Sequence, residues 1–352
     1  MYPIVGPRLA TYGVVQPVAR QLGLATLGTL HQRIGEALTP QDGGGESDPV
    51  GWAWGRSTWG RVIGEQINDR YQAFADPRAE GQVLGVQAGI DLLQGSFVPG
   101  HHDVAGAYFG YLNGNMNVDG LVTNLTETGY TLTRTGTLNL NSYSLGAYWT
   151  HYGPSGWYLD AVLQGTRYGG SASANFAALG ALLGTSLSTK MPTNGNGFVS
   201  SLEGGYPFSL PQLGPGFVLE PQGQLIYQWV GLGPANDGLG TVGLGSTSGV
   251  TGRLGLRTEW TILGPNGEAW QPYGRADLWR DWGGEAQTSF AGDAVLVPLV
   301  EQATRLEFAA GLTVKLSTNL SFYTQAGYGF AVAPSDARRD GVRGDLGLRL
   351  TW

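Results

Sequence analysis

The 352-residue sequence contains no cysteine, and only 13% of its residues are charged, about half of the usual share. Without thiols the chain can form neither disulfide bonds nor a cysteine-ligated zinc site. It also has no run of about 18 consecutive apolar residues, which excludes a transmembrane helix. No apolar segment typical of a signal peptide follows Met1, so the sequence is expected to be a fragment if the protein is exported.

Positive charge is scarce as well. The formal net charge is -7, the pI is about 5.1, and Lys190 and Lys315 stand far apart. A surface that follows a phosphate backbone needs clustered lysine and arginine. We therefore predict no nucleic-acid partner.

Glycine and tryptophan, in contrast, are abundant. The chain has 59 glycines, 11 tryptophans and 41% hydrophobic residues. Glycine does not recur at every third position, which excludes a collagen, and the aromatic and apolar content excludes a disordered chain. The composition predicts a folded protein with an apolar, weakly charged surface.

Apolar and polar residues alternate with a period of two along most of the chain. In the segment 304–316, Leu306, Phe308 and Leu312 share one face, and Arg305, Glu307 and Lys315 share the other. Twelve segments show this alternation: 51–65, 80–93, 101–112, 138–150, 156–168, 196–207, 215–230, 249–262, 270–282, 304–316, 319–332 and 342–352. An even number of strands is what a closed up-and-down barrel requires, so residues 51–352 are predicted to form an all-β, transmembrane 12-stranded antiparallel β-barrel.

The connections between these segments alternate strictly in length. Short ones lie at 94–100, 151–155, 208–214, 263–269 and 317–318, and long ones lie at 66–79, 113–137, 169–195, 231–248, 283–303 and 333–341. Barrels of the bacterial outer membrane have short periplasmic turns and long external loops. The pattern therefore predicts a barrel in the bacterial outer membrane with lipid around it. A soluble sandwich, the alternative, leaves the loop lengths unexplained.

Aromatic residues near the segment ends are expected to form interfacial girdles. They are Trp149, Tyr152, Trp157, Tyr227, Trp229, Trp260, Trp270, Trp279 and Trp282.

Residues 1–50 form a separate linker that contains an amphipathic segment at about 14–38, before Pro40. As a helix of some 22 residues it would span about 33 Å, close to the thickness of a bilayer core. A 12-stranded barrel should have room for roughly one helix of 10 to 12 Å diameter. We predict a pore helix inside the lumen, while a helix on the membrane surface or over one rim remains open. The candidate pore-helix residues are Arg20, Leu27, Leu30, His31, Arg33 and Glu36.

Charged residues on the inward faces of the strands form a second set of candidates. They are Asp91, Asp160, Arg253, Arg257, Glu259, Arg275, Asp277, Arg305, Glu307, Lys315, Asp345 and Arg349. Mixed charges in a wet lumen suit ion pairs with a helix or hydrogen bonds to water, and we favour this interpretation over acid/base chemistry.

Motifs of the common enzyme classes are absent from the sequence. It contains no phosphate-binding Gly-x-x-x-x-Gly-Lys-[Ser/Thr], no Gly-x-Ser-x-Gly and no His-Glu-x-x-His. His31, His101, His102 and His151 lack an aspartate or serine setting and are expected to be ordinary polar residues of the helix and the short turns. We predict no enzyme activity, cofactor or metal, and a passive porin or small-molecule channel is the alternative function.

Several short motifs occur in an order that resembles the translocator domain of the autotransporters, the type V secretion proteins. Each motif alone is weak, but their order covers the chain from about residue 17 to its end. They are Ala-Arg-Gln-Leu-Gly-Leu at 19–24, Gly-Thr-Leu-His-Gln-Arg-Ile-Gly-Glu at 28–36, Trp-Gly-Arg-Val-Ile-Gly at 59–64, Tyr-Ser-Leu-Gly-Ala-Tyr-Trp-Thr at 143–150, Gly-Trp-Tyr-Leu-Asp at 156–160, Gly-Arg-Leu-Gly at 252–255, and a terminal Trp352.

The resemblance implies a helix-plugged outer-membrane barrel that exports an N-terminal passenger, which this chain lacks. It further implies that the final strand, with Leu348, Leu350 and Trp352, is recognised by the barrel assembly machinery. We predict a monomer. Some autotransporters cleave themselves at two consecutive asparagines on the helix, but no asparagine precedes Asn68 here. The passenger is therefore expected to stay attached or to be removed by another protease.

Overall fold

A computed structural model describes residues 4–35, 51–265, 267–291, 295–333 and 337–352. Twelve long strands dominate this part of the chain, and each overlaps one of the segments identified by alternation. These strands, β1 to β12, are Gly51–Arg70, Arg78–Ser96, His102–Thr123, Tyr130–Tyr152, Tyr158–Asn175, Gly195–Gly205, Phe217–Leu232, Ser246–Trp260, Ala269–Gly283, Thr304–Lys315, Leu320–Ala331 and Arg338–Thr351.

Each strand pairs antiparallel with its neighbour in the sequence, and the last strand closes the sheet on the first. In this closing pair, Gly60 of β1 stands opposite Leu348 of β12. Among the twelve described strands of the barrel, closure leaves no free edge, as the lipid phase requires, because an unpaired backbone group in hydrocarbon costs several kcal/mol. The predicted closed 12-stranded barrel is confirmed.

The predicted single helix over 14–38 is wrong in its bounds. Three helices follow one another, α1 at Pro7–Gly13, α2 at Val15–Leu27 and α3 at Leu30–Ile34, whereas residues 36–38, with Glu36, lie outside the described residues. Pro17 has no N–H to donate to the carbonyl of Gly13, which accounts for the interruption between α1 and α2. Among the described helices, none is both long and apolar enough to cross a membrane.

Gly28 separates α2 from α3. Its φ angle of 62° belongs to the left-handed region, and a Cβ atom there would lie 2.9 Å from the guanidinium nitrogens of Arg61. The next residue, Thr29, starts α3 with a capping box, since its side chain accepts from the N–H of Gln32 while the Gln32 side chain accepts from the N–H of Thr29. The break is therefore encoded locally.

The long connections hold more regular structure than expected. The sequence predicts a loop over 113–137, but β3 continues to Thr123 and β4 begins at Tyr130. Another long connection contains helix α4, Ala177–Leu183, and two others supply a small four-stranded sheet. The strands of that sheet are Ala235–Asn236, Thr241–Gly243, Glu285–Phe290 and Val295–Val300.

The side-chain pattern inverts partway along β3 and β4. In the lower parts of these strands, next to the short turn between them, apolar residues point outward. Phe109 and Leu145, for example, are 51% and 69% exposed. Towards the long connection, polar Asn115 is exposed while its neighbour Met116 is buried and packs in the same cluster as α1 and α2. The inversion marks the end of the lipid-facing band, so the upper parts of β3 and β4 stand outside the membrane.

The strand length agrees with this boundary. Strand β3 has 22 residues, and such a strand is about 70 Å long. At the usual tilt of about 40° it rises roughly twice the height of the ~25 Å apolar band of an outer-membrane barrel.

Candidate functional site

The lumen of the barrel is occupied by the N-terminal helices. All residues of α2 are buried except Leu24, which is partly buried. Backbone groups of this segment bond to side chains of the barrel wall, for example Gln164 Nε2 to the carbonyl of Gly23 at 3.1 Å and Gln228 Nε2 to the carbonyl of Arg20 at 2.8 Å. A helix on the membrane surface is thereby excluded.

The three helices α1 to α3, here called the helical segment, run from the rim of the long connections to the rim of the short turns. At its start, the N–H of Val5 donates to Thr123 Oγ1 at 2.7 Å, and Arg8 pairs with Asp237 of a long connection at 2.6 Å. At its end, Arg33 pairs with Asp160, which lies three positions into β5 and thus close to a short turn. The polarity of the segment is therefore fixed by contacts at both ends.

The upper part of the helical segment, near the rim of the long connections, is held by carboxylates of those connections. Arg20 pairs with Glu301 at 2.7 Å, with both side chains nearly inaccessible. Burial raises the pKa of the Glu301 carboxyl, and the neighbouring guanidinium of Arg20 acts against this rise. The Tyr12 hydroxyl donates to Asp237 at 2.9 Å, and burial raises its pKa to about 12. Tyr12 thus stays a neutral donor at physiological pH.

The lower part of the helical segment, near the rim of the short turns, makes several polar contacts to the barrel wall. The guanidinium of Arg33 lies 2.7 Å from Asp160 and 5.3 Å from the ring centre of Tyr148. The N–H of Leu30 donates to Glu203 at 3.1 Å, and Nε2 of His31 lies 3.0 Å from Glu220. These contacts anchor α3 against one side of the lumen.

Arg61 of β1 donates hydrogen bonds to backbone carbonyls on both sides of the break between α2 and α3. One guanidinium nitrogen donates to the carbonyl of Thr26 at 2.8 Å and another to the carbonyl of Gln32 at 3.0 Å. Carbonyls near a helix end lack an intrahelical partner, and a cation is the favoured group to satisfy them. Gln224 Nε2 reaches the carbonyl of Gly28 in the same region at 3.3 Å.

Arg253 is the centre of a charge network on the wall. It pairs with Glu203 at 3.0 Å and with Asp277 at 2.8 Å, and its guanidinium lies 5.7 Å from the ring centre of Trp279. Since Glu203 also accepts from Leu30, this network touches the helical segment. Around it lie the pairs Arg275–Asp277 and Arg275–Glu307, and Arg305 stacks over Trp279 at 5.0 Å.

The remaining inward charges pair within the wall. Arg257 contacts Glu259 at 2.7 Å, and Asp91 accepts from Ser57, Tyr148 and Arg349. Of the charges proposed to line the lumen, Asp160 bonds directly to the helical segment, and Arg253 reaches it through Glu203. Arg20, His31 and Arg33 contact barrel or loop carboxylates, and Leu27 and Leu30 are buried in an apolar cluster with Trp59.

The C-terminal candidates lie on the outer surface. Leu348, Leu350 and Trp352 are 41%, 42% and 58% exposed, and β12 is paired on both sides, with β11 and β1. The role of these three residues in assembly stays a prediction.

Two sequence-based expectations about aromatic and histidine residues are wrong. Tyr152 and Trp279 are buried in the apolar cluster of the lumen and do not belong to the girdles. His151 is not an isolated polar residue, because its Nδ1 atom lies 2.8 Å from Asp103 and its Nε2 atom lies 2.9 Å from His101. Within the described part of the chain, no group of three or more histidine, aspartate or glutamate residues is placed to hold a metal ion.

Several residues that hold the helical segment were not identified from the sequence. Arg61, Glu203 and Glu220 occupy inward positions, as their burial shows, and strand alternation was the signal that could have identified them. Asp237 and Glu301 lie in long connections, where no periodic pattern indicates which side chains turn inward.

Comparison with known proteins identifies the family. The family model described as "Autotransporter beta-domain" matches residues 58–327. The pertactin autotransporter of Bordetella bronchiseptica is 31% identical over 324 residues, which cover 90% of this chain and 30% of that protein. The chain thus spans less than a third of the length of this relative.

Solved structures show the same fold. The transport unit of the autotransporter AIDA-I from Escherichia coli superposes with a TM-score of 0.68 at 15% identity, covering 99% of this chain and all of that one. The β-domain of the Bordetella autotransporter BrkA gives a TM-score of 0.60 at 21% identity, covering 85% of this chain and all of that one. The chain therefore belongs to the autotransporter β-domain family, and it is a β-barrel of the bacterial outer membrane.

Proposed function

We propose that this barrel exports a passenger joined to its N-terminus and that the helical segment afterwards plugs the pore. The direction of the helical segment carries this proposal. Its first residues meet the rim of the long connections, which faces the outside in barrels of this type. A polypeptide that precedes residue 4 would therefore emerge at the cell surface, while the chain returns through the lumen to β1.

The occupied lumen also distinguishes this function from that of a passive porin. A porin needs an open aqueous path, whereas here buried ion pairs hold α2 and α3 across the pore. No motif or site described above supports catalysis, so we propose that the barrel itself is not an enzyme and requires no cofactor. Whether a passenger stays attached or is removed by another protease is independent of this geometry.

The last strand and the closed wall of the barrel indicate which partners it needs. Strand β12 has exposed apolar side chains and, before closure, a free edge that another sheet could pair with. We propose that the barrel assembly machinery recognises this strand through Leu348, Leu350 and Trp352. The closed wall needs no second copy, so we propose a monomer.

A reporter fusion tests export directly. A folded domain fused to the N-terminus should become sensitive to protease added to intact cells. An epitope inserted at Ser155, in an exposed short turn, is the matched control and should be cleaved only after the outer membrane is opened. If the folded barrel reaches the membrane but the N-terminal reporter stays protected, export by this chain is refuted.

A further inference from the structure

The outward face of β5 carries an arginine without a carboxylate partner, at the edge of the lipid-facing band that lies towards the long connections. Arg167 is exposed, and its guanidinium donates to Asn196 Oδ1 at 3.0 Å. Within the described residues, no aspartate or glutamate forms an ion pair with it. An exposed guanidinium at this level is suited to bind an anionic group of a lipid headgroup, above all a phosphate.

A slot in the lipid-facing surface lies directly below Arg167. Gly165 is the preceding outward residue of β5, and it stands between Leu145 of β4 and Phe198 of β6. These two side chains are 69% and 41% exposed, whereas no described heavy atom would lie within 4 Å of a Cβ atom on Gly165. The slot therefore has apolar walls and an empty floor, and an acyl chain can fill it.

Beside and above Arg167, tyrosines and asparagines replace the apolar residues on the outward faces of β3 and β4. Tyr143 stands next to Arg167 in the sheet register and is 49% exposed, and its ring centre lies 5.1 Å from that of Tyr111. The next two outward rows are formed by Asn113 with Asn141 and by Asn115 with Asn139. An amide side chain can both donate and accept in either orientation, so these two asparagine rows can pair with the hydroxyls of a sugar.

The vertical order of these groups matches the order of the parts of a phosphorylated glycolipid. Outward rows are two residues apart, so each lies about 5 Å higher along the membrane normal at a strand tilt of about 40°. The slot at Gly165 thus lies about 5 Å below Arg167, and the two asparagine rows lie about 5 Å and 10 Å above Tyr143. An acyl chain, a phosphorylated sugar and further sugars follow one another in the same order.

We propose that this surface binds a phosphorylated glycolipid of the outer leaflet, the lipid class that includes lipopolysaccharide. One acyl chain fills the slot at Gly165, the Arg167 guanidinium donates to a phosphate oxygen, and Tyr143 and the asparagine rows contact the sugar hydroxyls. A phospholipid without a sugar would leave the asparagine rows unused, which favours a glycolipid. The proposal rests on the outer-membrane location of the chain and is independent of passenger export.

Lipid binding to the purified full chain tests the proposal. The barrel in detergent is incubated separately with lipid A, with lipid A whose phosphates have been removed, and with phosphatidylglycerol, and the bound lipid is counted by native mass spectrometry. We expect lipid A to bind about tenfold more tightly than either of the others, because each of them lacks one of the two recognised parts. Equal binding of phosphatidylglycerol would reveal a phosphate site without sugar recognition, and equal binding of the dephosphorylated lipid would show that the phosphate is not recognised. Either result overturns the proposal.

Variants locate the binding site. Arg167→Gln removes the cation and should weaken the binding of lipid A about tenfold, while the binding of the dephosphorylated lipid stays unchanged. Gly165→Leu places a side chain in the slot and should weaken the binding of both lipids. Arg134→Gln is the matched control, because Arg134 is also exposed but pairs with Asp119, and it should leave the binding of lipid A unchanged. Each barrel is first checked for folding by its heat-dependent electrophoretic mobility, and unchanged binding of lipid A by folded Arg167→Gln contradicts the proposal.

Discussion

A chain that begins at residue 36 should form a barrel whose single-channel conductance is roughly ten times that of the full chain, because a helix of 10 to 12 Å diameter leaves the lumen. In the part of the full chain that the structure describes, a narrow gap beside α2 is lined by Gln21, Glu65, Arg305, Glu307 and Arg343. Once the helical segment is removed, the vacated lumen should connect the two rims.

The measurement is made in planar bilayers with both proteins at equal salt. The shortened chain loses the helix partners of Asp160 and Glu301, so its closure is verified first by heat-dependent mobility. A folded, shortened barrel with the conductance of the full chain would show that the helical segment does not block the pore.

Replacing Arg33 by alanine should strongly lower the unfolding free energy of the barrel. The side chains of Arg33 and Asp160 are 1% and 2% exposed, and the removal of Arg33 leaves a buried carboxylate that keeps Thr150 as a hydrogen-bond donor. Breaking a buried pair in this way costs about 3 kcal/mol of unfolding free energy. The Arg33 cation also lies over the ring of Tyr148, so Arg33→Lys should recover only part of the loss.

The pair Arg134–Asp119 provides the control. Its side chains are 46% and 31% exposed, and Arg134→Ala should cost less than about 1 kcal/mol. Unfolding midpoints in urea, followed by tryptophan fluorescence in micelles, give the comparison. Equal midpoints for the two alanine variants would refute the account of Arg33 as an anchor.

The strands could be predicted because each has one face in lipid and one in a polar lumen, which imposes a period of two on the sequence. The same physics explains where the prediction failed. Above the membrane, β3 and β4 turn polar residues such as Asn115 outward and apolar residues such as Met116 inward, so the lipid-facing pattern predicts a loop over 113–137. Its alternation was present, with the opposite sign.

The break between α2 and α3 could also be predicted from the sequence. Gly28 followed by Thr29 and Gln32 is a stop followed by a capping box, and both motifs are local. The contact between Asp103 and His151 could not be predicted, because the two residues are 48 positions apart and meet only through the register of β3 and β4. Similarly, Glu301 reaches Arg20 across 281 positions, a contact that depends on how a long connection folds over the lumen.

The polarity of the helical segment is the central claim, and site-directed labelling tests it most directly. The chain contains no cysteine, so single cysteines can be introduced at Ile4, which is 76% exposed, and at Ser155 in an exposed short turn. With a membrane-impermeant maleimide on intact cells, Ile4→Cys should be labelled and Ser155→Cys should be labelled only after the outer membrane is opened. Labelling of Ser155→Cys on intact cells with Ile4→Cys protected would contradict the account.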